Sequence, residues 1–228
     1  MEEKNFVKFK EEEVGIKEYV KSTLGKGRIS DVLIEYTPVG EKIIVVTNRP
    51  GLIIGRKGER INELTSILKR RFKLDNPHIE IKDVVNSDLD SQLIADSIAM
   101  NLERKGSLKF KLIAYRTLKN IMGAGALGVE LVLSGKLPSD RARTWRFAQG
   151  YLKKVGDPAK VVNRANAQAR TIKGVVGIKV SILPPDAHIH DKIVIDDEMR
   201  KKIKENVVEE EEKKKPKKRK TKRSGGKK

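Results

Sequence analysis

Ile54-Gly55-Arg56-Lys57-Gly58-Glu59-Arg60-Ile61 is the stretch on which the reading of this chain turns. Its two glycines bracket a short length of main chain with no side chain at either end, so another backbone can approach closely. The two residues between them, Arg56 and Lys57, are cationic. Ile61, Leu64, Ile67, Leu68 and Phe72 then recur at helical spacing, which predicts a helix beginning at the loop. The free N–H groups and positive dipole end of such a helix face the same anion as the loop. Gly55, Arg56, Lys57, Gly58 and Arg60 are therefore candidates for contact with a phosphate backbone. The same stretch also fits a plain tight turn between two helices, its cations solvated. A nucleotide P-loop does not fit, because no Gly-Lys-Ser/Thr stands at the required spacing.

Upstream of the loop, Val14–Leu24 reads as a short helix with Val14, Tyr19, Val20 and Leu24 as packing residues, ended by Gly25-Lys-Gly27. Two strand-like runs follow, Ile29–Thr37 and Lys42–Thr47, separated by Pro38-Val-Gly40 as in a hairpin. Asn48-Arg-Pro50-Gly51 breaks the second strand, and Leu52-Ile-Ile54 leads into the loop. Downstream of the loop helix, Ile79, Ile81 and Val84 suggest a third strand after Pro77. The order is helix, strand, strand, short helix, glycine loop, helix, strand. The KH module uses a glycine loop of this kind to clamp about four nucleotides.

Beyond a junction at Asn86–Ser91, which carries helix-capping residues, two helical stretches are expected at Leu93–Arg104 and Leu108–Met122. Gly123-Ala-Gly125 stops the second. Val129, Leu131 and Leu133 alternate with Glu130 and Ser134 as in a half-buried strand. Arg143–Leu152 and Val161–Ile172 are weaker strand candidates joined by Gly156-Asp-Pro158. Val176, Ile178, Val180 and Ile182 alternate clearly and end at Pro184-Pro185. This second unit reads as two helices followed by about four strands, an α+β pattern. The last 20 or so residues are charged and of low complexity, so disorder is expected there unless a partner orders them.

The chain carries 50 Lys+Arg against 31 Asp+Glu, a net charge of +19 over 228 residues. Residues 209–228 hold 11 basic and 4 acidic side chains, so +12 remains on residues 1–208. Basicity of the folded part as well as the tail points to a polyanionic partner. With no cysteine, disulfides, thiolate catalysis and Cys-ligated zinc are excluded. No apolar run approaches the ~20 residues of a membrane-spanning helix, and the acidic-basic start lacks a signal-peptide core, so an intracellular protein without membrane attachment is expected. Aromatic residues are only 4% of the chain, too few for a stacking platform built on several rings. His188-Ile-His190 has metal-compatible spacing but lacks further clustered ligands, and no nucleophile–base constellation can be assembled. Neither catalytic residues, a metal, a cofactor nor a small-molecule substrate is expected.

Further cations fall into three groups. Lys69-Arg70-Arg71 closes the loop helix, where positive charge serves RNA contact and dipole compensation equally well. On the helix at Leu108–Met122, an ideal wheel puts Lys109, Arg116 and Lys119 on one side and leans Leu108, Tyr115, Leu118 and Met122 toward the other. Lys111 falls nearer the apolar side. A solvated charged face fits that spacing as well as an RNA face does. Lys136, Arg141, Arg143 and Arg146 lie in a loop-to-strand segment, with Arg suited to bidentate phosphate contact. An extended chain there places Arg141 and Arg143 on one face and Arg146 on the other. Trp145 reads as a packing residue rather than a base-stacking one.

Taken together, these blocks resemble the small-subunit ribosomal protein S-three family in its archaeal and eukaryotic branch. The matching stretches are Gly51–Leu64, Gly125–Leu137 with its Ser134-Gly-Lys-Leu137, Arg141-Ala-Arg143 with Gly156-Asp-Pro158, and Gly174–Val180. The glycine loop is shared with other KH proteins, whereas the Ser-Gly-Lys-Leu and Gly-Asp-Pro blocks are specific to the family. The resemblance implies an α+β fold: a type II KH domain (α-β-β-α-α-β) over residues 1–86 and a family-specific domain of two helices and about four strands over 87–185; residues 186–228, which show little of the family's pattern, are expected to be an extension ending in the disordered, charged, lysine-rich tail. It implies a cytoplasmic, ribosome-bound protein in the head of the small subunit. Its partners would be small-subunit ribosomal RNA, neighbouring small-subunit ribosomal proteins, and messenger RNA (mRNA) along the path by which it enters. The family's basic pair on that path falls by register at Lys111 and Leu112, of which only Lys111 is basic. Lys119, Arg116 and the Arg141–Arg146 segment are candidates to compensate. Two other readings fit the composition: a non-ribosomal KH regulator or maturation factor, and a nuclease, which would need a carboxylate or metal cluster.

Overall fold

A computed structural model describes residues 2–38, 40–72, 74, 76–187 and 199. The first module opens with α1 (Glu2–Leu24), followed by β1 (Ile29–Thr37), β2 (Gly40–Thr47), α2 (Pro50–Ile54), α3 (Glu59–Phe72) and β3 (His78–Asp83). The three strands form one sheet in the order β1-β2-β3, with β1 antiparallel and β3 parallel to β2. This is the fold order of a type II KH domain. Its core joins Ile16, Val20 and Leu24 of α1 to Val32, Ile43 and Val45 of the sheet and to Ile53, Leu64 and Leu68 of the helices flanking the loop.

Three expectations need correction here. The first helix begins far ahead of Val14, because the charged run before it is helical as well. Val14 is exposed: Ile16, Val20 and Leu24 repeat every four residues along the buried stripe, and Val14 lies on the opposite side of the helix. Ile67, on the loop helix, is also partly exposed, leaving Leu64 and Leu68 as its anchors.

The second module begins where the Asp90 carboxylate caps α4 (Ser91–Lys105), accepting from the amides of Gln92 and Leu93. α5 (Phe110–Gly123), β4 (Gly128–Gly135), β5 (Arg143–Gly150), β6 (Asn163–Thr171) and β7 (Gly174–Leu183) follow. The strands make an antiparallel sheet ordered β5-β4-β7-β6. One face of it is covered by α4 and α5. Val129, Leu131 and Leu133 of β4 and Val176, Ile178, Val180 and Ile182 of β7 meet Ile98, Leu102, Ile113 and Leu118 there.

Leu108 and Tyr115 do not join that core. Leu108 is 75% and Tyr115 63% exposed, whereas Phe110, Ile113, Ala114, Leu118 and Ile121 form the buried stripe. Leu108 and Lys109 belong to a 3-10 turn preceding α5, so an α-helical wheel drawn through them is out of phase. Glu130, expected on the solvated side of its strand, is buried. The expected tail and the His188–His190 pair lie outside the described residues, apart from Asp186, Ala187 and Met199 of the former.

The modules meet at a hydrogen-bonded joint. The N–H of Gly27, in the turn between α1 and β1, donates to Asp96 Oδ2 of α4 at 2.8 Å, while Gln92 Nε2 donates to Asp96 Oδ1. Lys26 Nζ reaches the carbonyl of Gln168 on β6. Burial raises the Asp96 carboxyl above its ordinary value, and the hydrogen bonds from Gly27 and Gln92 offset only part of that rise.

Candidate nucleic-acid interface

The glycine loop sits between two helices and turns sharply at each glycine. Gly55 has φ +74° and ψ −173°, a region open essentially only to glycine, and a Cβ there would press on the Arg60 side chain at 3.0 Å. Gly58 has φ +79° with open space where a Cβ would stand. Between them Lys57 occupies the left-handed region at φ 52°, the one non-glycine residue with positive φ among those described. Arg56, Lys57 and Arg60 are exposed. Arg60 folds back so that Nη1 donates to the Leu52 carbonyl at 3.0 Å, tying the helix after the loop to the short helix before it. Arg56 and Lys57 make no side-chain hydrogen bond or ion pair with a described residue. The loop thus offers two unpartnered cations beside a main chain that a second backbone can approach.

The remaining candidates separate. Lys69 and Arg70 are exposed at the C-terminal turn of α3, where they also complement its dipole. Lys109 precedes α5, and Lys111 and Lys119 are exposed on it. Lys111 Nζ lies 4.8 Å from the Trp145 ring centre. Trp145 itself packs on Phe110, and its Nε1 donates to the Leu137 carbonyl at 3.1 Å, so it is a packing residue. Lys136, Arg141 and Arg143 are exposed around the β4–β5 connection. Arg146 points to the other face of β5 and pairs with Glu130, which also binds Lys154 at 2.8 Å. Burial works to raise the Glu130 carboxyl, but the Lys154 hydrogen bond and the charges of Lys154 and Arg146 outweigh it and hold the group below its ordinary value. Arg116 lines a cleft between the modules beside Arg28, Arg49 and Arg104, none of which the sequence pattern marks out.

Among the described residues no group of three or more His, Asp or Glu could hold a metal ion. No helix among them is long and apolar enough to cross a membrane.

A three-stranded sheet backed by helices, with Gly-x-x-Gly between two of them, and a second α+β module attached make this a two-module KH-domain protein. The KH domain family matches residues 15–89, and the family described as ribosomal protein S3, C-terminal domain, matches residues 98–182. The chain is 42% identical over 203 residues to small ribosomal subunit protein uS3 of Methanocaldococcus jannaschii, covering 89% of this chain and 97% of that protein. It is 39% identical over 206 residues to uS3 of Methanococcus maripaludis, 90% of this chain and 97% of the relative. With uS3 of Methanococcus aeolicus it shares 36% identity over 208 residues, 91% and 99% of the two. The chain belongs to the small ribosomal subunit protein uS3 family.

Proposed function

We propose that this chain is a structural constituent of the small ribosomal subunit. It binds small-subunit ribosomal RNA in the head of the subunit, contacts neighbouring ribosomal proteins, and contributes to the path by which mRNA enters. RNA contact is assigned to the glycine loop of residues 1–86, with the cations of residues 87–185 other than the Glu130-paired Arg146 and the Trp145-bound Lys111 as a second set, and the basic stretch of 186–228 as an extension. The observation that carries the reading is the loop: an open main chain at Gly58, a left-handed Lys57, and two cations without an ion-pair or hydrogen-bond partner among the described residues. Unpaired, solvent-facing cations cost little in the free protein and gain counterion-release free energy when they meet phosphates. Family membership supplies the assembly in which that RNA sits.

The test replaces Arg56 and Lys57 with Asp in the full chain. The double variant keeps the wild-type melting transition, loses about 100-fold in affinity for small-subunit ribosomal RNA, and shows a shallower salt dependence. A folded double variant with undiminished affinity would remove the loop from the interface. In cell extracts the wild-type chain sediments with the small subunit; a chain found mainly outside that peak would favour a free KH regulator instead.

A further inference from the structure

The buried stripe of α1 runs on past the sheet that it packs against. Ile16, Val20 and Leu24 lie on the sheet, and the same face continues upstream through Glu13 and Phe9 to Phe6, three or four residues at a time. Phe9 meets Tyr36, next to the last residue of β1, with ring centres 4.6 Å apart. Phe6 lies a turn further out and is 64% exposed, with Phe9 39% and Tyr36 46% exposed. In a chain only 4% aromatic, three such rings gathered at one place form a contact surface rather than scattered apolar exposure. We propose that this tip of the first module is the docking face for a neighbouring protein of the small subunit, and that it receives a lysine- or arginine-rich segment carrying an apolar side chain. The proposal rests on the small-subunit reading above and gives one class of partner a defined surface.

The charge around the rings runs against that of the chain, which is +19 overall. Burial raises the Tyr36 hydroxyl above its ordinary value, and the nearby charges of Glu13, Glu41 and Glu12 raise it further. The local cations are already committed: Lys10 and Lys17 each pair with Glu13 at 2.7 Å, and Lys42 pairs with Glu80. Helical geometry puts Lys4 and Lys8 on the other side of α1. Glu12 and Glu41 make no ion pair with a described residue. Glu41 Oε2 is buried without a hydrogen-bond partner among the described residues, a cost that an incoming N–H donor relieves. Lys10 Nζ lies 5.9 Å from the Phe6 ring centre, so this ring face already receives an ammonium group. An RNA strand, anionic throughout, is repelled by such a surface. A basic peptide segment gains ion pairs from it and covers the rings.

Topology keeps the tip apart from the loop. β1 and β2 pair Thr37 with Gly40 at the hairpin end and Ile29 with Thr47 at the other. The glycine loop, by way of α2, leaves from the Thr47 end, and the Gly27–Asp96 joint lies at the Ile29 end of β1, which is the same end of the sheet. Tyr36 and the rings on α1 stand at the hairpin end. The eight steps of β1 separate the two ends by about 26 Å, well beyond the screening length of about 8 Å at physiological salt. Substitutions at one end therefore leave binding at the other unchanged.

The test uses the full chain with two labelled twelve-residue peptides of equal charge, one alternating lysine and leucine, the other lysine and serine. The wild type binds the lysine–leucine peptide about 10-fold more tightly than the lysine–serine one, and F6S/F9S loses that preference. E12Q/E41Q weakens both peptides and flattens their salt dependence. Both variants keep the wild-type affinity for ribosomal RNA. If F6S/F9S unfolds, E12Q/E41Q carries the peptide measurement. In small subunits purified from cells, p-benzoylphenylalanine in place of Phe6 crosslinks to a lysine- or arginine-rich peptide of another ribosomal protein. Equal binding of the two peptides by the wild type, or an unchanged preference in folded F6S/F9S, would overturn the proposal. So would crosslinks from position 6 to RNA, to a second copy of this chain or to its own basic stretch, or no crosslink at all in assembled subunits. In each of these cases loss of RNA affinity in R56D/K57D leaves the RNA reading standing. A chain that never enters small subunits removes both.

Discussion

The cations of the glycine loop and those on the outer face of the second sheet are the same residue types in opposite circumstances. Arg56 and Lys57 project from a strained turn into solvent without partners. Arg146 and Lys154 converge on one buried carboxylate, Glu130. The surrounding architecture differs in the same sense. The first module is held by ten buried apolar side chains and the second by 22 among the described residues. Each fully buried Val, Leu, Ile or Phe among them contributes on the order of 1.5–3 kcal/mol, and the Gly27–Asp96 joint adds a hydrogen-bonded tie from the smaller core to its neighbour. A basic residue's role is decided by where the nearest carboxylate lies in space, and composition does not record that.

The largest expected effect opposes the two sets directly. R56D/K57D lowers RNA affinity about 100-fold, equivalent to about 2.7 kcal/mol, with no change in thermal stability. R146Q does the reverse: RNA affinity stays within a factor of two and the melting temperature drops. RNA titrations and thermal melts on the same samples check both halves. A large affinity loss in R146Q would merge the two sets and break the comparison.

Much of this was legible in the chain and some of it was not, for definable reasons. Alternation in β4 and β7 is visible because only one face of the sheet is packed by helices, which forces period-two patterning on Val129–Leu133 and Val176–Ile182. The loop is visible because its two glycines and two cations are contiguous. The burial of Glu130 is not visible, because its partners stand 16 and 24 residues away and only the β4–β5 register brings Arg146 to it. The cleft is hidden for the same reason: its cations come from four segments that meet only after the modules dock. Val14 is apolar but lies off the stripe that Ile16, Val20 and Leu24 form every four residues, and Leu108 falls in a 3-10 turn that shifts its phase relative to α5.

The joint gives the next effect in size. Asp96→Ala leaves the Gly27 N–H and the Gln92 amide without their acceptor, a cost of about 1–3 kcal/mol. Asp96→Asn keeps an acceptor for Gly27 and sheds the cost of burying a charge, so it is much milder. Because burial raises the folded-state value of Asp96 above its ordinary one, the folded chain holds that proton more tightly than the unfolded chain. Its favourable contribution is complete below the ordinary carboxylate range and is lost as pH rises through the raised value. Relative to wild type, D96N therefore gains stability as pH rises from 3 to 7 in denaturant titrations. A constant difference over that range would show that Asp96 does not titrate in the joint.

Glu130 titrates with the opposite sign. Its lowered folded-state value means a contribution present above the ordinary carboxylate range and lost as pH falls through the folded value. Lys154→Met removes one of its two cations. A pair intermediate between exposed and buried predicts about 1–2 kcal/mol, seen at pH 7 and fading on acidification. The Asp96 and Glu130 variants thus diverge in their pH profiles, which marks one carboxylate as a joint and the other as the anchor of a paired surface.

The smallest effect concerns Lys111, which sits between the two categories. It is exposed like the loop cations, yet its ammonium lies over the Trp145 ring. A cation–π contact at an exposed site contributes about 0.5–1 kcal/mol, so Lys111→Gln lowers stability by that amount if the ring holds the side chain in solution. Lys111→Arg retains the contact and the charge and restores stability. If Lys111 is instead a phosphate ligand, Lys111→Gln leaves the melting temperature alone and flattens the salt dependence of RNA binding by roughly one phosphate's worth. The neighbouring position bears on which outcome prevails. Leu112 offers no second cation to share a phosphate, and its exposed side chain lines the cleft wall rather than the Trp145 side. A lone ammonium resting on an aromatic face behaves as part of the packed second module, so the stability loss is the expected result and places Lys111 with Arg146 rather than with Arg56.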